Sequence, residues 1–123
     1  MTLQEFYQQV GGDYSLMVKR MMNDKFATKC IKKLITDTSF KDCVDNYQQK
    51  DYEKAFLGAH ALKGVCANLG IQSLLTHVSE LSNYLKNHQV SVDEKHVSKL
   101  ITNVELEYTI VIEYVKLLDE LQN

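Results

Sequence analysis

Proline is absent from this chain of 123 residues, and glycine occurs only five times. Both residues interrupt helices, proline because it lacks a backbone donor and glycine because its backbone is loose. Their scarcity leaves local turn chemistry as the means of ending a helix. The composition therefore favours an all-helical chain.

Several classes of protein are disfavoured by what else is scarce. No stretch approaches the roughly 18 apolar residues of a membrane span, and the first residues do not form a signal-peptide pattern. A net charge of −2 gives no basic surface for nucleic acid. Three cysteines, an odd number without metal-ligand spacing, predict reduced thiols in a cytoplasmic protein. No acidic cluster resembles a Mg²⁺ site, and no segment resembles a glycine-rich ATP-binding loop.

The most informative stretch is Ala59–Gly70, with the sequence AHALKGVCANLG. On a helix at about 100° per residue, its apolar side chains gather on an arc opposite His60. Lys63, Gly64 and Ala67 lie on the His60 side, so one cation and two very small residues surround the imidazole. Imidazole is nucleophilic in its neutral form, and with a reference pKa of about 6.5 it is largely neutral near pH 7. The pattern therefore predicts an exposed nucleophile that another macromolecule can reach.

This stretch resembles the signature of the histidine-containing phosphotransfer (HPt) domain, A-H-x-L-K-G-x-x-x-x-L-G, and meets each fixed position. The similarity extends from residues 51–55 to residues 81–85. The resemblance implies a phosphorelay intermediate that takes a phosphoryl group from a receiver-domain aspartyl phosphate and passes it to another receiver aspartate. Its partners would be response-regulator receiver domains and hybrid sensor kinases. It would be a phosphoryl carrier without autokinase activity or a cofactor of its own, because the receiver brings the Mg²⁺.

Three residues carry the chemistry that the resemblance implies. His60 would accept the phosphoryl group, Lys63 would neutralise charge on its oxygens, and Gly64 would leave room for the receiver. Glycine inside a helix costs about 1 kcal/mol relative to alanine. Gly64 therefore needs a reason, which is either the approach of a partner or the close packing of a neighbouring helix.

Four further residues are predicted to contribute to docking. Phe56 and Ala67 lie on the His60 side of the helix, where Phe56 serves either as rim packing or as docking surface. The resemblance adds Ser82, where some members have Gln, and Lys86, where some have Arg, both on the following helix. Lysine keeps the charge of arginine but lacks its planar fork.

The predicted fold is all-α: an up-down antiparallel four-helix bundle with a short extra N-terminal helix, forming one monomeric domain over residues 1–123. A heptad-like apolar stripe from Val97 to Leu118 marks the last helix. The predicted helix ends are a capping box at Thr2 and Glu5, a cap at Asp51, a left-handed stop at Gly70, and a second capping box at Ser91 and Glu94.

Two other functions compete with the phosphorelay interpretation. An adaptor that docks receiver domains without carrying phosphate would keep the bundle but would not need His60. A bundle enzyme or di-iron protein would need inward-facing Glu-x-x-His pairs, yet Leu57 stands three residues before His60. The intact set of His60, Lys63 and Gly64 favours the phosphorelay.

Overall fold

The computed structural model describes residues 1–119, and this part of the chain is helical without strands. The prediction of an all-α fold is confirmed; residues 120–123 of the predicted domain lie outside the described residues. The elements are α1 (Leu3–Val10), α2 (Tyr14–Met21), α3 (Asp24–Lys32), a 3-10 helix (Lys33–Thr36), α4 (Ser39–Gln48), α5 (Tyr52–Leu69), α6 (Gln72–Lys86) and α7 (Glu94–Lys116).

The N-terminal part that precedes the bundle is divided into short pieces. Three short helices, α1 to α3, precede α4, because the backbone turns into positive φ at Gly11 (75°) and at Met22 (77°). Glycine adopts this conformation without steric penalty, whereas methionine does so rarely. Asn23 then starts α3 by accepting the N–H of Phe26 at 2.8 Å.

Most of the predicted helix ends are confirmed. Thr2 Oγ1 accepts the N–H of Glu5, and the Glu5 carboxylate accepts the N–H of Thr2, each at 3.1 Å. Asp51 caps α5 through the N–H of Lys54 at 3.1 Å. Gly70 ends α5 in the left-handed conformation, with φ 72°.

The predicted capping box at Ser91 and Glu94 is wrong. Asp93 is the residue that caps α7, and its carboxylate accepts the N–H of His96 at 3.3 Å. Glu94 is therefore the first residue of the helix rather than the third. The loop reaches α7 two residues later than the capping-box spacing requires, since the N–H of Asp93 is held by the hydroxyl of Tyr84 at 2.9 Å.

The longer helices form the bundle around α5, which packs mainly against α4 and α6, while α6 also packs against α7. Phe40 of α4 stacks on Tyr108 of α7, with ring centroids 5.5 Å apart. Short turns join α4 to α5 and α5 to α6, as expected for antiparallel neighbours. The strict up-down order of four helices stays a prediction.

Gly58 sets how closely α5 approaches α4. A Cβ atom at this position would lie 2.8 Å from the backbone nitrogen of Cys43 and 2.9 Å from the carbonyl oxygen of Ser39. The two backbones meet here because glycine has no side chain. This contact fixes the inner side of α5, so the residues opposite Gly58 face outwards.

Candidate functional site

His60 lies exposed near the middle of α5. The buried positions of this helix occupy one side, as the sequence predicts, and they are Ala55, Ala59, Leu62, Cys66 and Leu69. The cap at Asp51 and the stop at Gly70 fix the length of α5 on either side of the histidine. The imidazole is therefore held by a regular, well-ended helix and projects away from the core.

Phe56 lies against the His60 ring. The ring centroids are 5.4 Å apart and the ring planes differ by 31°. Phe56 is half-buried and packs on the hydrophobic core, so it gives the imidazole a fixed apolar neighbour one turn earlier on α5. Of the two predicted roles, rim packing is observed, and a docking role stays a prediction.

Lys63 is half-buried beside the groove between α5 and α6. Its Nζ donates to the side-chain Oδ1 of Asn83 on α6 at 3.3 Å. Helical side chains lean towards the N-terminus of their helix. We therefore expect the Lys63 stem to point towards the turn that carries His60, while its bond to Asn83 joins it to α6.

Gly64 is exposed, and a Cβ atom added there would meet nothing within 4 Å. Packing of a neighbouring helix therefore does not explain this glycine, whereas it does explain Gly58. Helical glycine in open space lowers stability by about 1 kcal/mol relative to alanine. The open space at Gly64 leaves the approach to His60 unobstructed.

Ser82 is not on the surface, so its predicted docking role is wrong. Its residue is 1% exposed, because it follows Val78 by one turn and falls on the buried side of α6. Its neighbour Asn83 is exposed and makes the contact to Lys63. Asn83 was not among the predicted site residues, although the spacing of the buried leucines of α6 indicates that it faces outwards and Ser82 inwards.

The family model of the Hpt domain matches residues 26–123. The chain belongs to the Hpt domain family. No curated protein and no solved structure matches the chain significantly. Hpt domains are phosphocarriers rather than enzymes; they have a phosphotransfer role in two-component phosphorelays and interact with receiver domains and kinases. The resemblance that the sequence shows is thus confirmed at the level of the family.

Two further predicted residues lie on the surface of this Hpt domain. Ala67 is exposed on α5, and Lys86 is exposed in the last turn of α6. Leu57 was missed as a surface residue: its residue is 56% exposed, one turn before His60. A leucine on the exposed side of a helix breaks the amphipathic pattern, and this break in the sequence indicates a surface residue that could contact a partner.

Other groups that could carry chemistry are sequestered or dispersed. Burial raises the pKa of Cys43 and the pKa of Cys66 to about 12 each, so neither thiol is a nucleophile near neutral pH. Within residues 1–119, no three or more His, Cys, Asp or Glu side chains form a group that could hold a metal ion. None of the helices in that range is long and apolar enough to cross a membrane.

Proposed function

We propose that this Hpt domain is a phosphorelay intermediate in which His60 accepts a phosphoryl group from a receiver-domain aspartyl phosphate and returns it to another receiver aspartate. The observation that carries this proposal is an exposed imidazole with an ammonium anchored one turn away on α5. The open space at Gly64 beside it supports contact with a second protein.

The transfer needs few groups on this chain. A lone pair on a ring nitrogen of neutral His60 attacks phosphorus, and the bond between phosphorus and the aspartyl oxygen breaks. The carboxylate leaves on the receiver, and a P–N bond joins the phosphoryl group to His60. Lys63 compensates the charge spread over the phosphoryl oxygens, while the receiver supplies Mg²⁺ and its acidic pocket.

The same face of α5 is the surface that we expect a receiver to cover. Leu57 offers an exposed apolar side chain for a partner to pack against. Gly64 and Ala67 have no side chain or a very small one, so they leave space beside His60. Lys86 adds positive charge on the adjoining helix, which suits the acidic pocket of a receiver. We infer no autokinase activity, and phosphate would arrive only from receiver domains, including those of hybrid sensor kinases.

Replacement of His60 by Gln tests this function. Because His60 is exposed, His60→Gln is expected to melt within about 2 °C of the wild type, but to take up no phosphate. The proteins are incubated with a phosphorylated receiver and Mg²⁺ and measured by intact mass. His88→Gln, which alters another exposed histidine, is the matched control and should be modified like the wild type.

The chemical stability of the product completes the test. Phosphohistidine is labile in acid and stable in alkali, so the added mass should disappear on acid treatment. A His60→Gln protein that is still phosphorylated would contradict the assignment of the acceptor. A wild type that binds several phosphorylated receivers without being modified would instead support the adaptor function.

A further inference from the structure

Lys63 has a neutral partner, and this separates it from paired lysines elsewhere on the surface. Lys54, also on α5, forms an ion pair with Asp51 at 3.9 Å, and other lysines pair with acidic residues three or four positions away. No Asp or Glu within residues 1–119 forms an ion pair with Lys63, whose ammonium donates to the carboxamide of Asn83 instead. An ammonium bound to a carboxamide keeps its net charge, whereas a carboxylate offsets it.

The contact also restricts where the ammonium lies. Lysine carries its charge on a flexible four-carbon stem, and an unrestrained stem samples many rotamers. The bond joins adjacent helices, because Lys63 lies on α5 and Asn83 on α6. Both helices belong to the packed bundle, so the bond ties the ammonium of one helix to its neighbour.

We propose that Asn83 is a positioning residue for phosphoryl transfer, whose carboxamide oxygen holds the Lys63 ammonium beside His60 without neutralising it. This inference rests on the proposed function, since it requires a phosphoryl group on His60. Asn83 is bonded to Lys63 and would act through it. Ser82 cannot take this role, because its side chain is buried.

Three substitutions of Asn83 distinguish an effect on the position of the Lys63 ammonium from an effect on its charge. Asn83→Ala removes the anchor, and we expect phosphoryl uptake to slow by about fivefold, the equivalent of one ordinary hydrogen bond. Asn83→Asp holds the ammonium more firmly but offsets its charge, so uptake should slow further, towards the rate of Lys63→Met. Asn83→Gln keeps the amide and should retain most of the rate.

A second measurement reads the charge at the phosphoryl group directly. Phosphoramidate can load histidine without a receiver: its P–N bond breaks, ammonia leaves, and a P–N bond to the imidazole forms. The second ionisation of the phosphoryl group on His60 is then titrated by ³¹P NMR. A fixed ammonium favours the dianion, so its pKa should be lowest in the wild type, higher in Asn83→Ala, and highest in Asn83→Asp.

Asn87→Ala is the matched control, because Asn87 is an exposed asparagine directly after α6 whose side-chain amide donates to the backbone oxygen of Asn83 rather than to Lys63. It should leave both the rate and the phosphoryl pKa unchanged. A merely structural role of Asn83 would change melting temperatures without moving the phosphoryl pKa.

The inference is overturned if Asn83→Ala and Asn83→Asp keep the wild-type phosphoryl pKa, or if Asn83→Asp is faster than Asn83→Ala. Failure of the relay gives a different result. In that case receivers do not modify the wild type, yet the phosphoramidate-loaded proteins still show the expected order of pKa values.

Discussion

Two glycines of α5 have opposite surroundings, although both interrupt a good helical sequence. The space around Gly64 is open to 4 Å, whereas the backbone of α4 fills the space beside Gly58. The lack of a side chain therefore serves internal packing at Gly58. At Gly64 the lack of a side chain serves no packing contact within the described part of the molecule. We therefore infer that it leaves space for a partner protein.

The substitution Gly64→Ala is expected to stabilise the protein, because alanine favours the helix by about 1 kcal/mol and its methyl group meets no neighbour. The melting temperature should rise by about 4 °C. Gly64→Gln should also fold at least as well as the wild type, yet take up phosphate more slowly because its side chain obstructs the receiver. Thermal melts and uptake rates check this pair, and a normal rate in Gly64→Gln would remove the clearance argument.

At the scale of the element, the contact between α4 and α5 depends on Gly58. In Gly58→Ala the added methyl group would lie 2.8 Å from the nitrogen of Cys43 and 2.9 Å from the oxygen of Ser39. Both atoms belong to the backbone, so α4 must move as a body. We expect a net loss of about 1–3 kcal/mol in the free energy of unfolding, as for other overpacked sites, despite the gain in helix propensity.

Urea unfolding of Gly58→Ala and Gly64→Ala makes this a paired test. Both variants replace glycine by alanine within α5, so the difference between their unfolding midpoints reflects the different surroundings of residues 58 and 64. The unfolding midpoint should fall for Gly58→Ala and rise for Gly64→Ala. An unchanged or raised midpoint in Gly58→Ala would show that the two helices are not held as closely as described.

Helix ends were predictable where one residue could serve as the cap. Asp51 and Gly70 bound α5 as expected, because their side-chain or backbone chemistry is local. The start of α7 was not, since both Ser91 and Asp93 can cap a helix and the path of the loop decides between them.

The candidate site was predictable to a similar degree. The exposed position of His60 follows from the period of its own helix, so the sequence sufficed. The partner of Lys63 lies on α6 and depends on how two helices are rotated against each other. Ser82 and Asn83 are neighbours in sequence, so a rotation of α6 by one residue about its axis decides which of them faces Lys63. The packing of the whole bundle fixes this rotation.

The whole molecule extends beyond the segment that matches the Hpt family, and that extension is tied into the bundle. The match begins at residue 26, so α1 and α2 precede it. The buried hydroxyl of Tyr7 in α1 donates to the carbonyl oxygen of Leu69 at 2.7 Å, and the amino group of Met1 donates to the carbonyl oxygen of Leu117 at 2.8 Å. The first bond joins α1 to the end of α5, and the second joins the first residue of the chain to the end of α7.

The burial of one tyrosine hydroxyl and two cysteine thiols predicts that the free energy of unfolding decreases in alkali. Burial raises the pKa of Tyr7 from 10.0 to about 12, and the pKa values of Cys43 and Cys66 from 9.0 to about 12. Between these limits the unfolded chain releases protons that the folded chain retains, so the free energy of unfolding falls as the pH rises. The contribution is complete below about pH 9 and is lost progressively towards pH 12.

Urea unfolding between pH 8 and pH 11 measures this loss. Tyr7→Phe removes one of the titrating groups, so its stability should start lower, because the bond to Leu69 is missing, and then decline less steeply with pH. A free energy of unfolding that stays constant over this range would mean that water reaches Tyr7, Cys43 and Cys66, and that the core is less closed than their burial indicates.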